Sequence, residues 1–105
     1  MELTIADIKE LLSGQCGTDS HSFTLGEKYF VRTVTYHCVG RLRDITATDL
    51  KLEDAAWVAD SGRWNEALST GKLNEVEPFP SYVIISRAAI VDATPWVHDL
   101  PRETK

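Results

Sequence analysis

The side chains best suited to metal binding or nucleophilic chemistry are few in this sequence and widely spaced. The 105 residues include two cysteines and three histidines: Cys16, His21, His37, Cys38 and His98. They do not have the spacing of a zinc site, and the sequence indicates no third group that would orient a Cys–His pair. Two cysteines are also too few for a disulfide framework. We therefore expect no metal and no cofactor, and we interpret Cys38, on a predicted strand, as a small buried hydrophobe.

Paired carboxylates are one arrangement that supports acid–base catalysis, and the one adjacent acidic pair in this sequence is badly placed for it. Glu53 and Asp54 lie on a predicted strand, where neighbouring side chains point to opposite faces. The chain also has no glycine-rich phosphate loop, no GxSxG elbow and no HExxH motif. We expect no catalytic residues and no enzymatic activity.

Aromatic side chains are the stronger candidates for ligand contact. Tyr36 and His37 lie where the first two predicted strands meet, and an exposed ring there could stack on a base, which contributes about 1–3 kcal/mol. The alternative for Tyr36 is cross-strand packing. The three tryptophans, Trp57, Trp64 and Trp96, suit core or interface positions, and we expect at least one in a subunit contact.

Composition limits the partners. A net charge of −5 argues against a protein that coats nucleic acid, although four arginines fall in or beside predicted strands and could form a local basic patch: Arg32, Arg41, Arg43 and Arg87. No apolar run approaches the roughly 20 residues of a membrane helix, and the N-terminal residues lack the pattern of a signal peptide. The prediction is a cytoplasmic protein with no membrane partner.

The element most clearly predicted is a β-hairpin over residues 39–55. Apolar and polar residues alternate with a period of two on both sides of residues 46–49, whose short polar side chains are typical of a turn. One domain is expected, divided as follows: a helix over 4–13, three strands within 27–59, an insertion over 60–81, two strands within 82–94, and a tail over 95–105. In the insertion, Asp60 or Ser61 would cap a short helix that ends at Gly71, the alternative being an irregular loop.

This order of elements, together with two short motifs, resembles the Sm-like family of small barrels. Gly40–Leu42 matches the glycine step of the family's first motif, and Ile45 matches the hydrophobic residue before its turn. The segment 85–91, ISRAAIV, has the length and the aliphatic flanks of the second motif. The sequence departs from the family at its binding residues. The turn has Thr46 and Asp49 where the family favours Asp and Asn, and the arginine of the second motif is displaced by one position to Arg87. These features fit a divergent or phage-derived member.

The resemblance implies a mainly β fold: a small, strongly bent five-stranded Sm-like or SH3-like barrel with an N-terminal helix and a short helical insertion between strands 3 and 4. It also implies a cyclic homo-oligomer whose subunits pair along strand edges. The residues expected at that interface are Tyr82, Ile84, Ile90 and Trp96. Asp49 and Arg87 lie nearest to the family's base-binding positions. A plain SH3-like or OB-like barrel stays open as an alternative.

Three functions follow as hypotheses. The first is a non-catalytic ring that binds single-stranded RNA or a nucleotide on its rim, through Tyr36, His37, Asp49 and Arg87. The second is a structural or adaptor ring, such as a phage accessory protein, whose insertion and tail contact a protein partner. The third is a protein that sequesters a small molecule in a pocket between subunits.

Overall fold

The computed structural model describes residues 21–105, so the helix predicted over 4–13 lies outside the described residues. The elements, in chain order, are β1 (Lys28–Thr33), β2 (His37–Ile45), β3 (Asp49–Asp60), α1 (Trp64–Thr70), β4 (Glu75–Pro78), β5 (Val83–Ser86), a 3₁₀ turn (Arg87–Ala89) and β6 (Ile90–Pro95). They form one antiparallel sheet with the order β4-β3-β2-β1-β6, and β5 pairs with β3 beside this path. The prediction of a mainly β fold is confirmed.

The prediction of five strands is wrong, because the insertion contributes one of its own. β4 lies in the stretch before Pro80 and pairs with the second half of β3. It is an edge strand that ends at Pro78, which suits a residue with no backbone N–H to donate to a further neighbour. Within residues 21–105 no pairing joins β5 to β6, so the six-stranded sheet is not closed.

A sharp bend in β3 allows one strand to serve two partners. Its first half pairs with β5 and its second half pairs with β4. Between the halves, Asp54 has a φ of 50°, and Gly40 of β2 lies opposite Asp54 and Ala55 in a β-bulge. A Cβ atom at position 40 would lie 2.9 Å from the Ala55 Cβ. Glycine is therefore required at this position by the close approach of the two strands.

Apolar side chains pack on both faces of the sheet, because neighbouring strand residues point in opposite directions. On one face α1 and the tail cover a cluster that includes Phe30, Val39, Ala56, Val58, Val76, Trp96 and Leu100. On the other face the bent strands enclose a second cluster that includes Tyr29, Val31, Cys38, Leu42, Leu50, Leu52 and Ile85. Two clusters of this kind give a small domain more buried area than a single-faced sheet would.

The helix of the insertion packs on the first of these clusters, through Trp64, Ala67 and Leu68. It ends at Gly71, whose φ of 78° is the left-handed conformation of a C-cap glycine. The predicted N-caps are wrong. Arg63 occupies that position without a side-chain hydrogen bond, while Asp60 ends β3 and its carboxylate accepts a hydrogen bond from the Gly62 amide at 2.8 Å.

The tail returns to the sheet. Trp96 is 2% exposed, and its indole N–H donates to the Asp99 carbonyl at 3.1 Å. Further along, the Lys105 amide and carbonyl exchange hydrogen bonds of 2.9 and 3.0 Å with Val76 of β4. The tail therefore completes the first cluster and also covers the backbone of an edge strand.

Candidate functional site

The turn between β2 and β3 is held by its own threonines. The Thr46 hydroxyl oxygen accepts hydrogen bonds from the Thr48 and Asp49 amides at 3.2 and 3.0 Å. The Asp49 carboxylate accepts from the Thr48 hydroxyl at 3.2 Å. A Ser/Thr-type turn of this kind fixes the backbone without using the carboxylate's remaining lone pairs.

The 3₁₀ turn brings Arg87 to this β2–β3 turn. The Arg87 amide donates to the Thr48 carbonyl at 2.8 Å, and its guanidinium donates to the Thr46 carbonyl at 2.7 Å. Ser86, next to Arg87, is the register partner of Asp49. Asp49 and Arg87, far apart in the sequence, therefore lie side by side. The guanidinium has further N–H donors beyond the one used here.

The other end of the 3₁₀ turn contacts the β1–β2 hairpin. The Val34 amide donates to the Ala89 carbonyl at 3.0 Å. The hairpin itself is closed by the Thr33 hydroxyl, which donates to the Tyr36 carbonyl at 2.6 Å. Three residues thus join the two turns that carry the residues singled out by the sequence. We call this combined region, made of residues 34–37, 46–49 and 87–89, the rim.

Tyr36 and His37 are adjacent in the chain but have different surroundings. Tyr36 packs against the second cluster, and burial raises the pKa of its phenol. His37 lies against Phe30, with ring centroids 5.8 Å apart. Both residues, with Trp57, line a shallow cleft of about 160 Å³. Trp57 is 37% exposed, so an aromatic surface is accessible there.

Sequence reasoning missed a charged cluster beside the hairpin. The Arg32 guanidinium forms a two-point contact with the Asp92 carboxylate of β6, with Nε to Oδ1 at 2.7 Å, and lies 4.9 Å from the Trp64 ring centroid. The ion pair raises the pKa of Arg32 and lowers that of Asp92. Only the pairing of β1 with β6 and the docking of α1 bring these residues together. Arg32 was a candidate for a basic patch, but no local sequence signal indicates that it pairs with Asp92 and contacts Trp64.

The four residues expected at a subunit interface have different environments. Tyr82 and Ile84, on the outer face beside and within β5, are 52% and 56% exposed. Ile90 is partly buried against the second cluster. Trp96 is buried in the chain's own core, so its side chain is not presented to a neighbouring subunit in this structure.

The soft metal ligands are dispersed. Cys38 is a free, fully buried thiol, and desolvation raises its pKa to about 12. His98 lies in the tail, where its ring contacts Trp96 and forms a 2.8 Å hydrogen bond with the Leu68 carbonyl. Across residues 21–105 no three His, Cys, Asp or Glu side chains come together as a metal site would require. Cys16 lies outside the described residues.

Comparisons with protein-family models, with curated proteins and with solved structures find no match to this chain. In the part of the chain that the structure describes, there is no helix with both the length and the apolar character needed to cross a membrane.

Proposed function

We propose that this protein is a non-catalytic, Sm-like assembly module that forms a closed homo-oligomer and binds single-stranded RNA or a nucleotide on its rim. The observation that supports the proposal most strongly is that β5 and β6 each have an edge with no strand partner among residues 21–105. Within residues 21–105 the β4 edge is hydrogen-bonded to the tail, whereas β5 and β6 each have one strand partner. Unpaired strand edges are templates for pairing with another chain.

The two open edges support pairing between copies of the chain. Ile84 of β5 and Val91 of β6 are 56% and 62% exposed, so apolar surface lies beside unpaired backbone groups at both places. Pairing β5 of one subunit with β6 of the next would be a head-to-tail contact, which closes into a ring when the rotation allows. The strand order β5-β3-β2-β1-β6, with a 3₁₀ turn before the last strand, suits the Sm-like or SH3-like barrel that such pairing would complete.

The rim is the proposed binding surface. Arg87 supplies guanidinium donors for a phosphate or a base edge, and Asp49 supplies a carboxylate acceptor. Tyr36 supplies aromatic surface together with Trp57 of β3, which lines the cleft beside the rim. In a ring, each subunit would contribute one copy of the rim, so one RNA molecule could contact several subunits in succession. Because the net charge is −5 per chain, the attraction of the Arg87 guanidinium for a phosphate must act locally at the rim.

Native mass spectrometry of the purified protein tests the assembly. We expect a ring mass for the wild type and a monomer, or insoluble protein, for Ile84→Lys, because a buried lysine on the paired edge would be desolvated without a partner. Leu25→Lys is the matched control, since Leu25 is 57% exposed and lies outside β5 and β6. A soluble Ile84→Lys ring of unchanged size, or a wild-type monomer, would overturn the assembly proposal.

Fluorescence polarisation with a labelled single-stranded RNA tests the rim. Arg87→Gln should weaken binding by about tenfold or more, the usual cost of losing a charge-assisted contact. Arg63→Gln removes the same charge from an exposed position just before α1 that is not one of the rim residues, and should bind like the wild type. Equal affinity of the Arg87→Gln variant and the wild type would contradict the rim assignment.

A second function, that of an adaptor ring for a protein partner, is favoured by the acidic charge and by Val97 of the tail, which is 77% exposed. The dependence of binding affinity on salt concentration distinguishes the two functions. RNA binding should weaken steeply between low and moderate salt because counterions are released, while an apolar protein contact should change little.

A further inference from the structure

A cavity of about 570 Å³ lies between the tail and the pair formed by the first residue of β1, Lys28, and its partner Arg41 in the middle of β2. Its volume is in the range of small-molecule sites, roughly 300–1,000 Å³. Four basic side chains line it, Lys28, Arg41, Arg102 and Lys105, against two acidic ones, Asp99 and Glu103. An excess of positive charge in one concavity is notable in a chain whose net charge is −5.

Lys28 and Arg41 are the most informative of these residues. They are direct cross-strand partners in the β1–β2 register, so their side chains project from the same face of the sheet. Like charges placed directly opposite each other destabilise a strand pair. An arrangement that keeps both cations side by side therefore has an unfavourable electrostatic term in the free protein.

Both cationic groups are held in place by neutral acceptors. The Lys28 ammonium donates to the His98 carbonyl, and the Arg41 guanidinium donates to the Gly26 carbonyl at 2.8 Å. Among residues 21–105 neither has a carboxylate within 4.0 Å, whereas Arg102 does contact Asp54, at 3.4 Å. The two positive charges are thus positioned but not neutralised by the described residues.

We propose that this cavity binds a small phosphorylated molecule that carries hydroxyl groups, such as a sugar phosphate. The phosphate would lie between Lys28 and Arg41, because a guanidinium fork beside an ammonium matches its oxygens and relieves the repulsion between the two cations. The Asp99 and Glu103 carboxylates are acceptors for hydroxyl groups. Leu100 and Pro101 supply apolar contact for the carbon skeleton.

Isothermal titration calorimetry with ribose 5-phosphate, and separately with inorganic phosphate, tests the proposal. Ribose 5-phosphate should bind saturably and more tightly than inorganic phosphate, because only the former reaches the hydroxyl acceptors. In ¹H–¹⁵N spectra the amides of Lys28 and Arg41 and those of the tail residues Asp99, Leu100, Arg102 and Glu103 should shift. Sodium chloride at equal ionic strength should reproduce neither effect.

Arg41→Gln should weaken ribose 5-phosphate binding by about tenfold or more. Arg43→Gln is the matched control, since Arg43 is exposed on the same strand and does not line the cavity. Lys28→Gln serves as a second variant if Arg41→Gln fails to fold, which the same spectra report. No saturable binding, or an equal loss in Arg43→Gln, would overturn the proposal.

This site does not depend on the proposed assembly or on the rim. A ring that binds RNA but not ribose 5-phosphate would reject the phosphate site alone, and a monomer that binds ribose 5-phosphate would reject only the assembly.

Discussion

At the scale of single residues, burial determines chemistry that residue type alone does not. Cys38 is fully buried in the second cluster, and the cost of placing a thiolate there raises its pKa from 9.0 to about 12. The thiol remains protonated at every physiological pH. Cys38 therefore acts as a packing residue in the folded protein.

Cys38 should consequently react very slowly with a thiol reagent in the folded state. In the Cys16→Ser variant, where Cys38 is the single thiol, reaction with DTNB at pH 8 should be about 1,000-fold slower than that of an ordinary thiol, from the thiolate fraction alone. Absorbance measures the rate, and the same variant in guanidinium chloride is the control. Rapid modification of the folded variant would contradict this burial.

At the scale of elements, the bend in β3 organises the sheet. It lets β3 pair with β5 and with β4 in turn, and it requires β2 and β3 to approach closely at Gly40. A side chain at position 40 meets Ala55 and Leu52 atoms at 2.9–3.1 Å. Neither backbone can move away without disturbing residues packed on both faces.

Gly40→Ala should therefore lower the free energy of unfolding by about 1–3 kcal/mol, the usual cost of overpacking. Ala55→Gly removes the nearest Cβ, so the double variant should recover part of that loss. Urea denaturation of the wild type, both single variants and the double variant measures the coupling. Strictly additive effects would show that the two positions do not clash.

At the scale of the whole molecule, the tail is part of the domain. Trp96 contacts Phe30 and His98, with ring centroids 5.7 and 5.1 Å apart, and Lys105 pairs with β4. A tail folded onto its own sheet leaves β5 and β6 as the unpaired edges of the described chain. In the proposed assembly, these two edges are the ones that would pair between subunits.

Trp96→Ala should lower the free energy of unfolding by about 3–5 kcal/mol, as expected for truncation of a buried aromatic residue. Val97→Ala, at the neighbouring exposed position, should change it by no more than about 0.5 kcal/mol. Thermal or urea unfolding of both variants measures the difference. A small effect of Trp96→Ala would indicate that the tail does not contribute to the core.

The local sequence pattern was sufficient to predict the strands, the turn and the helix end that depend on interactions between neighbouring residues. Period-two alternation over residues 39–55 indicated β2 and β3, the short polar residues 46–49 indicated their turn, and Gly71 marked the end of α1, because each is set by neighbours in the chain. β4 was not predicted because it is a strand of only four residues that ends at a proline. Its pairing with β3 and with the tail stabilises it, and these contacts are distant in the sequence. The choice of Asp60 or Ser61 as a cap failed because pairing with β4 extends β3 to Asp60.

The sequence by itself determined that the chain is mainly β and that it turns at residues 46–49, and it marked Asp49 and Arg87 as candidate binding residues. Only the tertiary structure decided that these two residues lie together, that Arg32 joins Trp64 and Asp92, that Lys28 and Arg41 face one cavity, and that Trp96 is internal. The physical reason is the same in each case. Strand pairing and tail docking join residues dozens of positions apart, and no local propensity encodes which distant strands will pair.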